Sequence, residues 1–129
     1  LLGVGPDHSG ELPAEVYERL EAIGRWMDVH SAAIYHTKPL APYELGKFCF
    51  TQSKDGSTRY AVYLKAEDEP MPQTIVLPAD FIGDSACIGL LGYTGRLKVQ
   101  SVGGARVVNL PKTYRERMGK MEAMVFWRQ

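Results

Sequence analysis

The hydrophobic period of this chain changes near residue 39, and that change limits the folds open to it. From Pro13 to about Val29, apolar residues recur every three or four positions, which lines one face of a helix. These residues are Val16, Leu20, Ile23 and Met27. Beyond residue 39 the period shortens to about two, which is typical of half-buried strands. The chain is therefore predicted to be one helix followed by a sheet-rich region.

The start of the helix is marked by its sequence. Pro13 suits the first helical position because its missing N–H would be unpaired there. Glu11 and Glu15 complement the positive end of the helix dipole. The preceding stretch GPDHSG is rich in turn-forming residues and separates the apolar LLGV from the helix. We expect a strand, a loop and a helix in that order.

Seven short strands are predicted after the helix. They are Lys47–Gln52, Thr58–Lys65, Thr74–Leu77, Ala86–Leu91, Arg96–Gln100, Ala105–Leu110 and Glu122–Trp127. The first two flank SKDG, whose Asp55-Gly56 pair favours a tight hairpin. Turn-rich stretches such as SVGG and LPKTYRERMG separate most of the others. This spacing predicts a mainly β fold, an antiparallel β-sandwich preceded by one α-helix.

A domain boundary is predicted where the period changes. The stretch LAPYELG, residues 40–46, contains proline and glycine and is interpreted as a connector. Residues 1–38 are then one unit, and residues 39–129 are the sandwich domain.

Charge and composition exclude several classes of function. Fifteen basic residues balance fifteen acidic ones, which argues against nucleic acid and against an anionic membrane as partners. No apolar segment reaches the roughly 18 residues that span a bilayer. Cys49 and Cys87 lie in apolar, strand-like runs and are interpreted as buried, reduced thiols.

No group of residues has the pattern of a catalytic or metal site. His8, His30 and His36 lack the spacing that places two imidazoles on one metal, so neither a metal nor a cofactor is expected. Asp7 and Glu11 could form a carboxylate pair for acid–base catalysis, but acidic residues before a helix are expected for its dipole alone. No nucleophile motif is present. We assign no catalytic residue.

The aromatic residues leave open an alternative, an independent carbohydrate-binding module. Tyr60 shares a strand face with Val62 and Leu64, which indicates a core position, and Tyr63 points to the opposite face. Trp26 and Trp127 are expected to be buried between helix and sandwich or within the sheet. Exposure is expected for the tyrosines in connectors, Tyr43, Tyr93 and Tyr114.

The first 39 residues contain a long run of residues in a specific spacing. They are Leu1, Leu2, Gly5, Pro6, Asp7, Gly10, Leu12, Pro13, Arg19, Leu20, Gly24, Trp26, Ala33, Ile34, Tyr35, Thr37 and Pro39. This run closely resembles the end of the catalytic barrel in α-L-fucosidases of glycoside hydrolase family 29, where LLLNxGP and a D-G-x-G-x-[IL]-P turn precede the helix ExxxRLxxxGxWLxxNGEAIYxTRP. The sequence departs from the family at Gly3, which replaces Asn, and at His30-Ser31-Ala32, which replaces Asn-Gly-Glu.

The resemblance implies a fold for the whole chain. YAVYL, ACIGLLG, LKV and VVNLP follow the order of the family's C-terminal β-sandwich. LLGV would be the last strand of a truncated (β/α)₈ barrel, Pro13–Val29 its closing helix, and the remainder the appended sandwich. GPDHSG would border the pocket of the barrel, because active sites lie at the C-terminal ends of such strands.

The resemblance also implies an activity for the parent enzyme. Such a parent is a retaining α-L-fucosidase, which hydrolyses terminal α-L-fucosyl residues of glycoconjugates with an Asp nucleophile and a separate acid/base carboxylate. Both carboxylates are expected upstream of Leu1. This segment would then brace the barrel and be inactive alone. The fucosylated glycan would be bound by the rest of the enzyme.

Two further expectations concern association and location. An uncovered apolar helix face tends to drive self-association, so the chain is expected to dimerise or to pack the helix back onto its own sheet. The resemblance implies a periplasmic or secreted bacterial parent, or a lysosomal one in a eukaryote.

Overall fold

The helices and strands lie within residues 3–129, which the computed structural model describes. The helices are α1 (Ala14–His30), α2 (Ala79–Ile82) and α3 (Lys112–Met118), and Ser31–Ala33 forms a 3₁₀ turn. The strands are β1 (Thr37–Leu45), β2 (Phe48–Ser53), β3 (Arg59–Leu64), β4 (Thr74–Leu77), β5 (Cys87–Leu90), β6 (Arg96–Lys98), β7 (Gln100–Val102), β8 (Ala105–Asn109) and β9 (Ala123–Arg128). Leu1 and Leu2, where the predicted first strand begins, lie outside the described residues. Gly3 and Val4 belong to no regular element.

The strands form two antiparallel sheets that share one core. The larger sheet has the order β1-β2-β3-β9-β5-β6 and the smaller sheet β4-β8-β7. Side chains of both sheets, including Phe126 from β9 and Val108 from β8, belong to a single buried cluster together with side chains of α2 and α3. The predicted antiparallel sandwich preceded by one helix is confirmed.

The larger sheet has apolar residues on both of its faces. On β3 and β9, one set of alternating residues faces the smaller sheet, and this set is Ala61, Tyr63, Met124 and Phe126. The other set belongs to a second cluster with Trp26 and Ala33, and this set is Tyr60, Val62, Ala123 and Val125. The end of α1 therefore packs on the face opposite to the second sheet.

The interpretation of LAPYELG as a connector is wrong, because β1 runs through it. β1 pairs with β2 and lies at the edge of the larger sheet. An edge strand tolerates proline because one side of its backbone needs no ladder partner. The register shifts between Pro39 and Glu44, as at a β-bulge.

Two further segments differ from the prediction. LPKTYRERMG was predicted as a turn, but it contains α3, whose Tyr114 and Met118 are buried one helical turn apart. Residues 96–100 were predicted as one strand, but β6 pairs with β5 in the larger sheet and β7 pairs with β8 in the smaller. The chain passes from one sheet to the other at Val99, which forms a corner of the sandwich.

Candidate functional site

Three residues at the C-terminal end of α1 contact the sandwich or each other. They are Trp26, Val29 and His30, and we call them the helix anchor. The indole N–H of Trp26 donates to the carbonyl oxygen of Ala123 in β9, at 3.0 Å. Val29 packs against the main core. The ring of His30 is fully buried and stacks on that of Trp26, with 4.6 Å between ring centroids. The predicted position of Trp26 between helix and sandwich is confirmed.

His30 is held in its neutral form by its surroundings. Its Nδ1 lies 2.9 Å from the carbonyl oxygen of Trp26. Since a carbonyl only accepts, Nδ1 carries the proton. Nε2 is buried without a hydrogen-bond partner among the described residues. Burial lowers the pKa of His30, against a smaller opposing effect of the Trp26 carbonyl. Protonation of this ring would place an uncompensated charge inside the helix anchor.

The middle of the apolar face of α1 lacks such cover. We call Leu20 and Ile23 the outer helix face. Leu20 is 37% exposed and Ile23 is 45% exposed, although both belong to the predicted apolar stripe. The stripe is therefore half-buried at its two ends, at Val16 and Met27, and exposed between them at Leu20 and Ile23.

The loop before α1 is organised by Asp7. One of its carboxylate oxygens accepts hydrogen bonds from the backbone N–H and the hydroxyl of Ser9, at 2.8 and 2.6 Å, and from the backbone N–H of Glu11 at 3.2 Å. These bonds, led by that of the Ser9 hydroxyl, lower the pKa of Asp7. The side chain of Glu11 takes no part in them. Asp7 is thus a turn-forming carboxylate.

The other shifted carboxyl groups are also held in the ionised form. Hydrogen bonds from Ser53 and Ser57 lower the pKa of Asp55 to about 2 at the hairpin turn. The hydrogen bond and ion pair with Lys47 lower the pKa of Glu69. A glycosidase general acid needs the opposite shift. These carboxyl groups therefore stabilise turns and connections.

Two clefts open on the surface of the sandwich. One lies between β1 and α2 and is lined mainly by apolar side chains together with Arg59 and Asp80. The other is lined by Tyr93, Thr94, Thr113 and Arg117. Their linings contain one carboxylate, Asp80, whereas retaining hydrolysis requires two. Within residues 3–129, no three acidic, histidine or cysteine side chains are arranged to hold a metal ion.

The tyrosines do not form the surface that a sugar-binding sandwich would need. Tyr43 is exposed as predicted, but Tyr93 is half-buried and Tyr114, on α3, is buried. Burial raises the pKa of Tyr114 to about 12. The exposed aromatic residues of the described chain lie on separate elements, with Tyr17 on α1, Tyr35 after the 3₁₀ turn and Tyr43 on β1. They form no row on one sheet face.

A close contact in the larger sheet could not be predicted from the sequence. Trp127 of β9 lies over Gly89 of β5, where a Cβ atom would be 2.1 Å from the indole ring. The ring also contacts the guanidinium of Arg96, at 4.1 Å from the ring centroid. Gly89 is thus required by this stack, and a glycine inside a strand is the signal that could have indicated it.

Both cysteines are free thiols, but they differ in burial. Cys49 is half-buried and Cys87 is exposed. The prediction that both are buried is wrong for Cys87, because β5 directs Ile88 and Leu90 into the core and Cys87 outward. None of the helices in the described part of the chain is long and apolar enough to cross a lipid bilayer.

Comparisons with known proteins agree with this architecture. The sequence matches no family model. An α-L-fucosidase of Branchiostoma floridae is 28% identical over 113 residues, which cover 86% of this chain and 24% of the relative. The tissue α-L-fucosidase of Homo sapiens is 30% identical over 99 residues, 76% of this chain and 21% of the relative. A solved structure of Thermotoga maritima α-fucosidase in complex with fucose is similar over 100% of this chain and 30% of its own, with a TM-score of 0.76 and 25% identity.

The chain belongs to the α-L-fucosidase family. It corresponds to the C-terminal part of these enzymes and spans about a quarter of the length of the curated relatives it matches. The resemblance inferred from residues 1–39 is therefore confirmed.

Proposed function

We propose that this chain is the C-terminal part of a retaining α-L-fucosidase, which hydrolyses terminal α-L-fucosyl residues of glycoconjugates in a catalytic barrel formed by the preceding part of the enzyme. In this proposal α1 braces the barrel against the sandwich, and the fucosylated glycan binds in the barrel. The observation that carries the proposal is the two-sided environment of α1, with the helix anchor on the sheet and the outer helix face exposed.

The physical argument rests on what an amphipathic helix needs. A helix with an apolar stripe is stabilised mainly by packing that stripe against another surface. Leu20 is 37% exposed and Ile23 is 45% exposed, so burial of the remaining surface would contribute roughly 0.5–1.5 kcal/mol each. The apolar surface of a catalytic barrel would supply that burial, while Trp26 and His30 hold the helix at a defined orientation on the sandwich.

The carboxylates of the chain also support the proposal that catalysis takes place in the barrel. Asp7, Asp55 and Glu69 are held ionised by local hydrogen bonds, and a retaining glycosidase needs a nucleophile and an acid about 5 Å apart. The barrel would provide both groups.

The activity is tested with an aryl α-L-fucoside that releases nitrophenol. The full-length product of the gene and this 129-residue chain are assayed side by side. Turnover by the full-length enzyme alone supports the proposal. Turnover by the short chain would overturn it, because the catalytic pair would then lie within these residues.

The bracing role is tested by Ile23→Asp, with Glu18→Gln on the exposed helix surface as the matched control. Introducing a carboxylate into an apolar contact is unfavourable, so Ile23→Asp is expected to lower the melting temperature of the full-length enzyme. In the 129-residue chain, where Ile23 is exposed, it should have little effect. Equal effects in both proteins would contradict the bracing role.

A further inference from the structure

Three arginines meet at one end of the sandwich, and we call Arg59, Arg106 and Arg128 the arginine cluster. Arg59 of β3 and Arg128 of β9 are directly opposite each other in an antiparallel pair. Arg59 is two positions from Ala61 and Arg128 is two positions from Phe126, so both arginines lie on the face that points toward the smaller sheet. Like charges directly opposite on neighbouring strands repel each other, so this pair is unfavourable without a compensating group.

The third arginine comes from the smaller sheet. Arg106 of β8 donates one guanidinium N–H to the carbonyl oxygen of Gly83, at 3.0 Å, and another to the hydroxyl of Ser101, at 3.3 Å. The guanidinium of Arg128 also lies beside Gly83, since a Cβ atom there would be 3.7 Å from its Nη2. Gly83 ends α2 with a φ of 55°, so the two sheets bring two guanidinium groups to one turn.

The positive charges of the cluster are not neutralised by the protein. Within residues 3–129 the ion pairs join other residues, and no carboxylate lies within 4 Å of these guanidinium groups. The nearby acidic side chains Asp80 and Asp84 are exposed, and Asp80 lines the cleft beside Arg59 without pairing with it.

The cluster is also short of hydrogen-bond acceptors. All three arginines are half-buried, and Nε of Arg128 is buried with no partner among the described residues. Burial, and then the positive charge of Arg59, lower the pKa of Arg128. An arginine side chain is well suited to bind an oxyanion, because the planar guanidinium matches two oxygens at once.

We propose that the arginine cluster is a binding site for an oxyanion, and that the oxyanion is an acidic substituent of a glycan, such as a sulfate ester or a carboxylate. A tetrahedral or planar oxyanion at Gly83 would accept hydrogen bonds from both sheets and relieve the repulsion between Arg59 and Arg128. The oxyanion site follows from the geometry alone. The choice of a glycan as its carrier rests on the proposed function.

The site is tested by following the guanidinium Nε–H signals of the chain by NMR during titration. Sodium sulfate is compared with sodium chloride at the same ionic strength. Sulfate is expected to give saturable shifts of the signals of Arg59, Arg106 and Arg128, while chloride gives none. Shifts that are absent, or equal in the two salts, would overturn the site.

Variants test whether sulfate binding depends on the arginine cluster or only on the net charge of the chain. Arg128→Gln is expected to weaken sulfate binding about tenfold, since it removes charge-assisted hydrogen bonds. Arg106→Gln serves the same purpose should Arg128→Gln fail to fold. The matched control Arg19→Gln, on the exposed surface of α1, is expected to bind sulfate as the parent chain does. Equal weakening by the control would overturn the proposal.

The carrier of the oxyanion is tested with N-acetylglucosamine 6-sulfate, its uncharged parent sugar and inorganic sulfate. Tighter binding of the sulfated sugar than of inorganic sulfate supports a glycan ligand. Equal binding of the two would limit the site to free anions and overturn the glycan assignment. These measurements need no fucosidase activity, so their failure is distinguishable from a failure of the proposed function.

Discussion

The sandwich and α1 differ in how their apolar side chains are covered. In the sandwich, residues of both sheets fill one cluster, and Ile88, Val108 and Phe126 are at most 1% exposed. In α1, Leu20 and Ile23 stay exposed, and the helix is held by its last turns. Burial of apolar surface is the dominant favourable term in folding. The sandwich can therefore hold its own fold, whereas α1 presents a surface that gains stability only when another surface covers it.

The largest expected effect is that of a substitution in the core of the sandwich. Phe126→Ala removes a fully buried ring between the two sheets, and its cavity should cost about 3–5 kcal/mol of unfolding free energy. Urea denaturation of the 129-residue chain measures this cost.

The counterpart on the helix is Leu20→Ala. Because Leu20 is 37% exposed, the loss of unfolding free energy in the same chain should be about 1 kcal/mol or less. Similar losses for the two variants would show that α1 is covered in solution, for example by a second copy of the chain, whose presence light scattering would reveal.

The next effect concerns close packing in the larger sheet. Gly89→Ala would place a methyl group 2.1 Å from the Trp127 ring, so the ring and the Arg96 stacked on it must move. Such overpacking typically costs about 1–3 kcal/mol. Thermal unfolding and tryptophan fluorescence measure the loss of stability and the displacement of the ring.

A glycine of α1 is the matched control. Gly24 has nothing within 4 Å of an added Cβ, and alanine is a better helix former, so Gly24→Ala should stabilise by about 0.5–1 kcal/mol. Destabilisation by Gly24→Ala would mean that this side of α1 is in contact with another surface.

A smaller effect tests the helix anchor itself. Trp26→Phe keeps an aromatic ring but removes the indole N–H, which leaves the carbonyl of Ala123 without that donor. A buried group left unpaired costs about 1–3 kcal/mol, and partial burial of Trp26 places the expected loss near the lower end. Hydrogen exchange should show faster opening of α1 than of β3 and β9. Tyr17→Phe, on an exposed side chain of the same helix, should change neither measurement.

The strands that could be predicted are short apolar runs bounded by turn-forming residues. β2, β3, β4, β5, β8 and β9 lie within a residue of their predicted bounds. β1 has mostly exposed residues and two prolines, so its hydrophobic pattern cannot reveal it. In α3, the buried pair Tyr114 and Met118 is too short a repeat to distinguish a helix from a turn.

The same limit applies to the candidate sites. The apolar stripe of α1 and the position of Trp26 follow from local spacing and could be predicted. The arginine cluster could not, because Arg59, Arg106 and Arg128 lie on three strands of two sheets and meet only through tertiary pairing. The exposure of Cys87 likewise depends on which face of β5 meets the core.

The smallest expected effect is a pH dependence of the helix anchor. Burial holds the pKa of His30 below its usual 6.5, so the unfolded chain takes up a proton before the folded chain does as the pH falls. Stability is therefore lost as the pH drops below about 6.5 toward the lower pKa of the folded state, and is unaffected by this group at higher pH. Urea denaturation between about pH 5 and pH 7, above the range in which ordinary carboxyl groups titrate, measures this slope.

Two variants assign the slope to His30. His30→Phe preserves an aromatic ring against Trp26 but cannot be protonated, so its stability should be nearly independent of pH in this window. His8→Gln, in the exposed loop before α1, should keep the slope of the parent chain. If instead His8→Gln removed the slope and His30→Phe kept it, the pH dependence would belong to the loop. The helix anchor would then depend on the Trp26 hydrogen bond and apolar packing, without a contribution from the neutral imidazole.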